Sequence, residues 1–510
     1  MSRFLRCLSS ALLVAVLLCS GCSMTPSMPT PKAEQDLPDA YAPAPGDTLL
    51  PAAATDTSAY DPQRWWTAFG DSTLTTLVDT AIASNLDLEV AQARVEELAA
   101  QFRIARAPLF PSVNANGEAR YQSQPASAGI GGEFGGDGSG GGSSRGGSRS
   151  ITPDRFSFST YTASLGLSYE LDFWGRVRDQ RKAALSQYFA TAADLQTARI
   201  SVTSQTISTY FEVASLQRQV ALGRRTVDLL EQRLAVTEDR YGRGLASSFQ
   251  LFTVQQNLGA AQAEQPQLED QLYDARSRLT TLLGRFAGTA SDVLPDSLAP
   301  SVDLSPVPAG LPADLLMQRP DVRAEALRLE AARRQVGVAR AERLPSLSLT
   351  GTGGTQSSAL ESLVDLDQRF ANFAAQLTAP LFQGGRLQAN TNAAEARYKQ
   401  QAARYENTVL TAFREVKAAL VAYDRQRERL NRGQEQVASA RASFQTQRDR
   451  YERGVGTVLS LLDAERGLVQ AQTRLAAART AAVNARLALH RALGGSWTDT
   501  DSVKDPRLFR

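Results

Sequence analysis

From Tyr161 to Phe173 apolar and polar residues alternate. Tyr161, Ala163, Leu165, Leu167, Tyr169, Leu171 and Phe173 fall on one face, and Thr162, Ser164, Gly166, Ser168, Glu170 and Asp172 on the other. A period of two over this length predicts a strand with one apolar and one polar face, as a tilted membrane strand requires. Val113 to Tyr121 alternates in the same way, with Asn114, Asn116, Glu118 and Arg120 on the polar face. Leu347, Leu349 and Gly351, then Phe373, Ala375, Leu377, Ala379 and Leu381, give two weaker versions. Around these strands lie long stretches rich in Ala, Gln, Arg, Leu and Glu, which are helix formers. Each half of the chain therefore predicts a helix (about 72 to 107, and 310 to 342) stopped near Pro111 and Pro345. Two strands follow, then a helix of roughly 60 residues, a Gly-containing turn and a helix of roughly 35. At ~1.5 Å per residue the longest spans roughly 90 Å, too long for a globular domain, so it belongs to a coiled-coil rod or barrel. Pro266 predicts a kink or break in the second long helix of the first half.

The two halves are copies. A constant shift of 234 sets residues 85–117 on 319–351 with ten identities in 33 ungapped positions, among them Asp87 on Asp321, Arg106 on Arg340 and Pro111 on Pro345. Further along the shift is 210, aligning Gly175-Arg176 with Gly385-Arg386, Arg240-Tyr241 with Arg450-Tyr451 and Leu283-Gly284 with Leu493-Gly494. The missing residues mark an insertion in copy one, where 129–150 hold 11 glycines and predict a flexible loop. The resulting division is a signal peptide over 1–21, a tether over 22–60, repeat 1 over 61–285 with the Gly-rich loop 126–150, and a Pro-rich linker over 286–309. Repeat 2 follows over 310–495, with a tail over 496–510.

Four strands cannot close a barrel, and open edges are not tolerated in lipid, so the sheet must be shared among chains. Two chains make a barrel filled by its own side chains; three make twelve strands around a pore, so a trimer follows if transport is the purpose. A soluble sandwich with one wet face shares the alternation, but no second sheet is in evidence.

Arg3 and Arg6 followed by the apolar run 11–18 have the layout of a secretory signal. The run ends in Leu18-Cys19-Ser20-Gly21-Cys22, which resembles a bacterial lipobox with Cys22 as the lipid-accepting residue. Cys19 departs from that pattern, which usually carries Leu there. Ser23 resembles the outer-membrane address of such lipoproteins. No later run is long and apolar enough for a membrane helix, so a bilayer would be crossed by strands. The net charge of +2, from 55 basic and 53 acidic residues, gives no reason to expect a nucleic-acid partner. All three cysteines lie in the first 22 residues, and the single histidine, His490, has no Cys or second His to join it. No metal, cofactor or catalytic residue is therefore expected, and His490 reads as a surface residue of the last helix.

Trp65-Trp66-x-x-Phe69-x-Asp71, Asn85-Leu86-Asp87-Leu88, the run 169–176, Arg319-Pro320-Asp321-Val322 and the run 461–466 resemble the TolC-like outer-membrane efflux factors, in particular their NodT-like lipoprotein branch. The resemblance covers essentially the whole mature chain. It implies a mainly helical fold with membrane strands: a homotrimer with a shared 12-strand β-barrel in the outer membrane and a long periplasmic helical barrel. It implies too a periplasmic adaptor, an inner-membrane efflux pump and an outer-membrane lipid anchor, by a diacylglycerol and an N-acyl chain on Cys22. The duct itself does no chemistry. By the same resemblance Arg243, Gly244, Leu245 and Ser247 in the first turn, and Arg453, Gly454, Val455, Gly456 and Thr457 in the second, form tips that meet the adaptor. Leu459, Asp463 and Arg466, on one helix face, form a periplasmic gate. A duct for type I secretion and a non-transporting lipid-anchored coiled-coil scaffold remain as alternatives.

Overall fold

The computed structural model of the chain describes residues 24–27, 62–125, 155–286 and 315–495. The signal segment with Cys22, most of the tether 22–60, the Gly-rich loop 126–150, all of the linker 286–309 past its first residue, and the tail 496–510 lie outside the described residues. Two units divide the chain: residues 1–27, 100–185 and 331–398 in one, and 28–99, 186–330 and 399–510 in the other.

The first unit holds a four-stranded antiparallel sheet in the order β1 (Ser112–Pro125), β2 (Arg155–Leu171), β3 (Ser346–Ser357), β4 (Arg369–Thr378). The chain passes from β2 and from β4 into the long helices that follow them at the same end of this sheet. Residues 358–368 join β3 to β4 at the other end. The register keeps one kind of residue on each face. Val113, Leu167, Gly351 and Phe373 stand in a row across the four strands, as do Tyr169, Leu349 and Ala375 across three. On the other face Asn114, Gly166, Thr352 and Asn372 form a row, and so do Glu118, Thr162 and Gln356. Because the side-chain period is two, a slip of one residue would mix these faces; the alternation thus specifies the pairing.

The helices are α1 (Ser72–Ser84), α2 (Leu86–Arg106), α3 (Arg176–Gly242), α4 (Ser248–Leu282), α5 (Leu315–Gln318), α6 (Pro320–Ala341), α7 (Arg386–Glu452) and α8 (Val458–Ala492). Helices α3 and α7 have 67 residues each and α4 and α8 have 35 each, close to the expected lengths. Where a single helix was expected over 72–107, the structure has two, split at Asn85. Its Oδ1 accepts from the backbone N–H groups of Asp87 and Leu88, at 3.0 and 3.2 Å, and so starts a new helix. Copy two is likewise split, between Gln318 and Pro320. Pro266 does not break α4, which runs on through it; Gln262, whose carbonyl loses its helix donor, and Pro266 itself are both exposed, so no buried acceptor is orphaned.

In the second unit the two repeats close in the same way. Asn85 Nδ2 donates to the Leu282 carbonyl (3.1 Å), and Arg319 Nη1 donates to the Ala492 carbonyl (2.7 Å). These pairs correspond under the repeat shifts, and each satisfies a carbonyl that the last turn of a helix leaves over. Trp65, Trp66 and Phe69 are buried in a cluster with Leu74, Tyr210, Phe211, Leu279 and Val483. A second cluster gathers Leu316, Val322, Tyr405, Val409, Val416 and Leu489.

Candidate functional site

Three features could serve transport: the sheet, the helix tips and the pairing of the long helices. At the base of the sheet, Glu170 holds Arg176 through both carboxylate oxygens at 2.9 and 2.8 Å. Asp172 accepts from the backbone N–H groups of Val177 and Arg178 (3.1 and 2.9 Å), which caps α3 just past its strand. Trp174 Nε1 donates to the Pro345 carbonyl (2.7 Å), tying the copies together at the point where strands give way to helices. The run 169–176 is thus a strand-to-helix junction. Above it the apolar row is open to the surroundings in a single chain, with Leu165 61% and Phe373 86% exposed. Such a face needs a covering, and a lipid bilayer supplies one.

At the tips, Gly244 (φ 70°) and Gly454 (φ 74°) take the left-handed conformation that ends a helix. The Leu245 N–H donates to the Arg240 carbonyl (2.7 Å) and the Val455 N–H to the Arg450 carbonyl (2.9 Å), the same closing bond in both copies. Arg243 reaches back to Asp239 (2.9 Å), while Arg453 Nε bonds the Asp449 carbonyl (3.2 Å). Ser247 and Thr457 cap α4 and α8 by accepting from the backbone N–H groups of Gln250 and Ser460. Gly456 leaves no room for a side chain, since a Cβ would stand 2.9 Å from the backbone nitrogen of Tyr451. With the backbone satisfied from within, Leu245 and Val455 project outward, 66% and 68% exposed. Phe249 and Phe252 are also exposed on the first turns of α4. Their signal in the sequence is the repeat shift, which sets them on Leu459 and Leu462.

The long helices form a row. Helix α4 packs on α3 through the Arg278–Glu212 pair (2.7 Å) and the Arg224–Glu269 pair (2.8 Å). Helix α3 packs on α8 through Leu222 and Leu229 against Leu462 and Val469. Helix α8 packs on α7 through Ala478 and Ala482 against Leu430. Asp463 sits at the α3–α8 joint, paired with Arg233, and two residues on Glu465 is paired with Arg225. The structure thus brings Asp463 to the neighbouring long helix rather than to Arg466, which is exposed; Leu459 is half-buried.

His490 is not on the surface: it is 4% exposed. Trp65, 425 residues earlier in the chain, stacks on its ring with centroids 4.5 Å apart and an interplanar angle of 17°. Arg486 Nε donates to His490 Nε2 (3.2 Å). Burial, with the Arg486 charge adding to it, pushes the imidazole down to about 3, so the ring is neutral at every physiological pH. Burial and the hydrogen bond that Tyr210 donates to Asp71 (2.6 Å) push the Tyr210 phenol up, fixing it as a neutral donor beside the α1 cap. Among the described residues no cluster of His, Cys, Asp and Glu could hold a metal.

Strands with one bare apolar face belong in a bilayer, and helices of such length extend well beyond one, which puts the chain in the class of outer-membrane channels with a helical extension. Comparison with known proteins narrows this. The model of the outer membrane efflux protein family matches residues 77–285 and 311–495, and the chain belongs to that family. It is 31% identical over 488 residues to the probable efflux pump outer membrane protein TtgC of Pseudomonas putida, covering 96% of this chain and 95% of the relative. It is 33% identical over 496 residues to the outer membrane protein OprJ of Pseudomonas aeruginosa, covering 97% of each. The crystal structure of the open state of the Neisseria gonorrhoeae MtrE outer membrane channel superposes with a TM-score of 0.74 at 27% identity, covering 93% of this chain and 98% of that one. The chain is therefore an outer-membrane efflux channel subunit, a passive duct and not an enzyme.

Proposed function

We propose that three copies of this chain form the exit duct of a tripartite efflux system that takes small toxic compounds, drugs among them, from an inner-membrane pump through a periplasmic adaptor. The observation that carries the reading is the four-strand sheet, with β1 and β4 at its ends and an apolar face along its length. Lipid does not tolerate unpaired backbone at those two edges, so β1 of one copy pairs with β4 of the next. Three copies give twelve strands, with the Asn114–Asn372 row lining a polar bore. The helix row is open in the same sense, for α4 and α7 are its ends, and Tyr273 on α4 and Leu410 on α7 are exposed. The tips, with Leu245 and Val455 outward, meet the adaptor. Leu459 and Asp463 close the bore above them, and Cys22 carries the lipid that joins the N-terminus to the outer membrane.

The test is a set of cysteine pairs placed across β1 and β4. Disulfides that join copies into a three-membered ladder on non-reducing gels support the shared barrel; monomers alone in the outer membrane refute it. A photo-crosslinker at Leu245 or Val455 should capture the adaptor. Palmitate incorporation should vanish in Cys22→Ser. Deletion of the chain together with its pump should raise drug susceptibility; a secretion duct would instead leave susceptibility unchanged and trap an exported protein.

A further inference from the structure

Residues 24–27 lie against the first unit, and Thr25 is held there by both of its hydrogen-bonding capacities. Its hydroxyl donates to Asp179 Oδ2 (2.7 Å) and accepts from Arg334 Nη1 (3.3 Å), which also donates to Asp179 Oδ1 (3.3 Å). The Asp179 side chain is 2% exposed and that of Arg334 19%. A buried carboxylate and guanidinium need their remaining sites filled, and a hydroxyl is the side-chain group that can donate to the one and accept from the other.

The third wall is Gly337, one turn beyond Arg334 on α6. A Cβ at Gly337 would lie 2.6 Å from Asp179 Oδ2, 2.9 Å from Thr25 Oγ1 and 3.1 Å from Thr25 Cα. The gap left by the missing side chain is the space Thr25 occupies. Asp179 comes from the first turn of α3, eight residues beyond the last residue of β2, so this arrangement lies close to the strand end of the unit.

We infer that Asp179, Arg334 and Gly337 form a docking seat for the chain segment just after Cys22, which holds the acylated N-terminus at the base of the membrane sheet. The part that concerns the lipid rests on the acylation of Cys22 argued above. Thr25 is three steps along the chain from Cys22, and an extended chain covers at most about 3.6 Å per residue, so the lipid is leashed within roughly 11 Å of the seat. The anchor is thus short, and its acyl chains enter the bilayer beside the strands of their own copy. The long spacer begins only after the seat.

The experiment uses Met24→Cys in the full chain, in outer membranes, with a water-soluble maleimide as the probe. In the mature chain Cys22 is the one native thiol, so labelling of the parent without Met24→Cys reports a Cys22 that is not acylated, and palmitate incorporation reports one that is. With the seat intact, labelling at position 24 is slow. Thr25→Ser keeps it slow, whereas Thr25→Val, which has the same shape without the hydroxyl, speeds it about tenfold, the population cost of losing hydrogen bonds to charged groups. Gly337→Val gives at least the same acceleration. Equal labelling rates in Thr25→Val, Thr25→Ser and the parent reporter, with palmitate incorporation normal, overturn the seat and leave the lipid anchor standing. Protection at position 24 in a chain whose Cys22 labels and takes up no palmitate overturns the short leash.

Discussion

Replacing Asp463 by Ala tests the gate at its charged tie. The substitution removes the pair with Arg233, whose side chains are 25% exposed for the arginine and 48% for the aspartate. A pair at that exposure is screened, and about 0.5 kcal/mol is a fair value for it. In a trimer three copies act on one opening equilibrium, so the closed state loses about 1.5 kcal/mol, roughly a tenfold rise in the open population. Removing Glu465 as well deletes the second tie, to Arg225, and brings the loss to about 3 kcal/mol and the rise to roughly a hundredfold if the two ties add. Single-channel conductance in planar bilayers and vancomycin entry in cells read the change. The exchange Arg233→Asp with Asp463→Arg should restore closure. Arg278→Ala is the control: it removes the Arg278–Glu212 pair between α3 and α4, farther from the tips, at similar exposure. Asp463→Ala with wild-type conductance, or Arg278→Ala with an equal leak, would refute the assignment.

The buried histidine makes stability depend on pH. Its folded-state pKa lies below the ordinary 6.5, so this contribution is full above about pH 6.5 and is lost as pH falls toward 3. Between pH 7.5 and pH 5 the purified channel should lose about 2 kcal/mol through this group; melting curves at the two pH values should show the drop in the wild type and a smaller one in His490→Phe, which keeps a ring against Trp65. Arg319→Ala strips the partly exposed Asp321 and Glu415 carboxylates and the Ala492 carbonyl of their donor, and should cost about 2 to 3 kcal/mol. Asn85→Ala, at the matching place in copy one, should cost about 1 kcal/mol because no charged partner loses its donor; the ratio of the two losses in urea unfolding is the check. Leu165→Arg puts a charge on the lipid face and should cost about 2 to 4 kcal/mol if it sits near the bilayer midplane, read as lost outer-membrane trimer; Ser164→Arg, on the polar face, should assemble.

The strands and long helices were legible because each carries its own period: residues 161–173 need no partner to declare two faces, and Gly244 and Gly454 announce turns on their own. Positions settled by distant contacts were not legible. His490 reads as a surface residue because nothing near it says that Trp65 will cover it. The break at Asn85 had a local sign, a capping residue followed by acidic Asp87, but the helical pattern on both sides masked it. Pro266 carried the opposite error, since a proline on an exposed face is tolerated where a buried one is not. Of the candidate site, the tip residues fall where the turn chemistry puts them. The partner of Asp463 lies 230 residues away on α3 and could not be read from spacing along its own helix.

The duplication also shows where the duct should part. Within a copy, the α3–α8 joint links the repeats and carries both ties, Arg225–Glu465 and Arg233–Asp463. The shift of 210 carries α3 onto α7 and α8 onto α4, so the matching joint is α7 with α4, the two ends of the row, which in a closed ring meet across copies. At the matching positions α7 has Glu435 and Ser443, and α4 has Gln255 and Thr253. Neither combination can form an ion pair. In a closed trimer the within-copy joints would thus carry two charged ties that the matching positions between copies lack, so the joints between copies would yield first and the Arg225–Glu465 and Arg233–Asp463 ties would be what full opening has to break. Ser443→Arg with Thr253→Asp would install the missing tie three times around the ring and favour the closed state by about 1.5 kcal/mol, on the value used for Asp463. Cells carrying the double variant should then export less drug, and their susceptibility should rise while the amount of assembled channel stays constant. Each single variant should leave susceptibility as it was. A double variant that exports as well as the wild type would mean that the copies do not separate along α4 and α7.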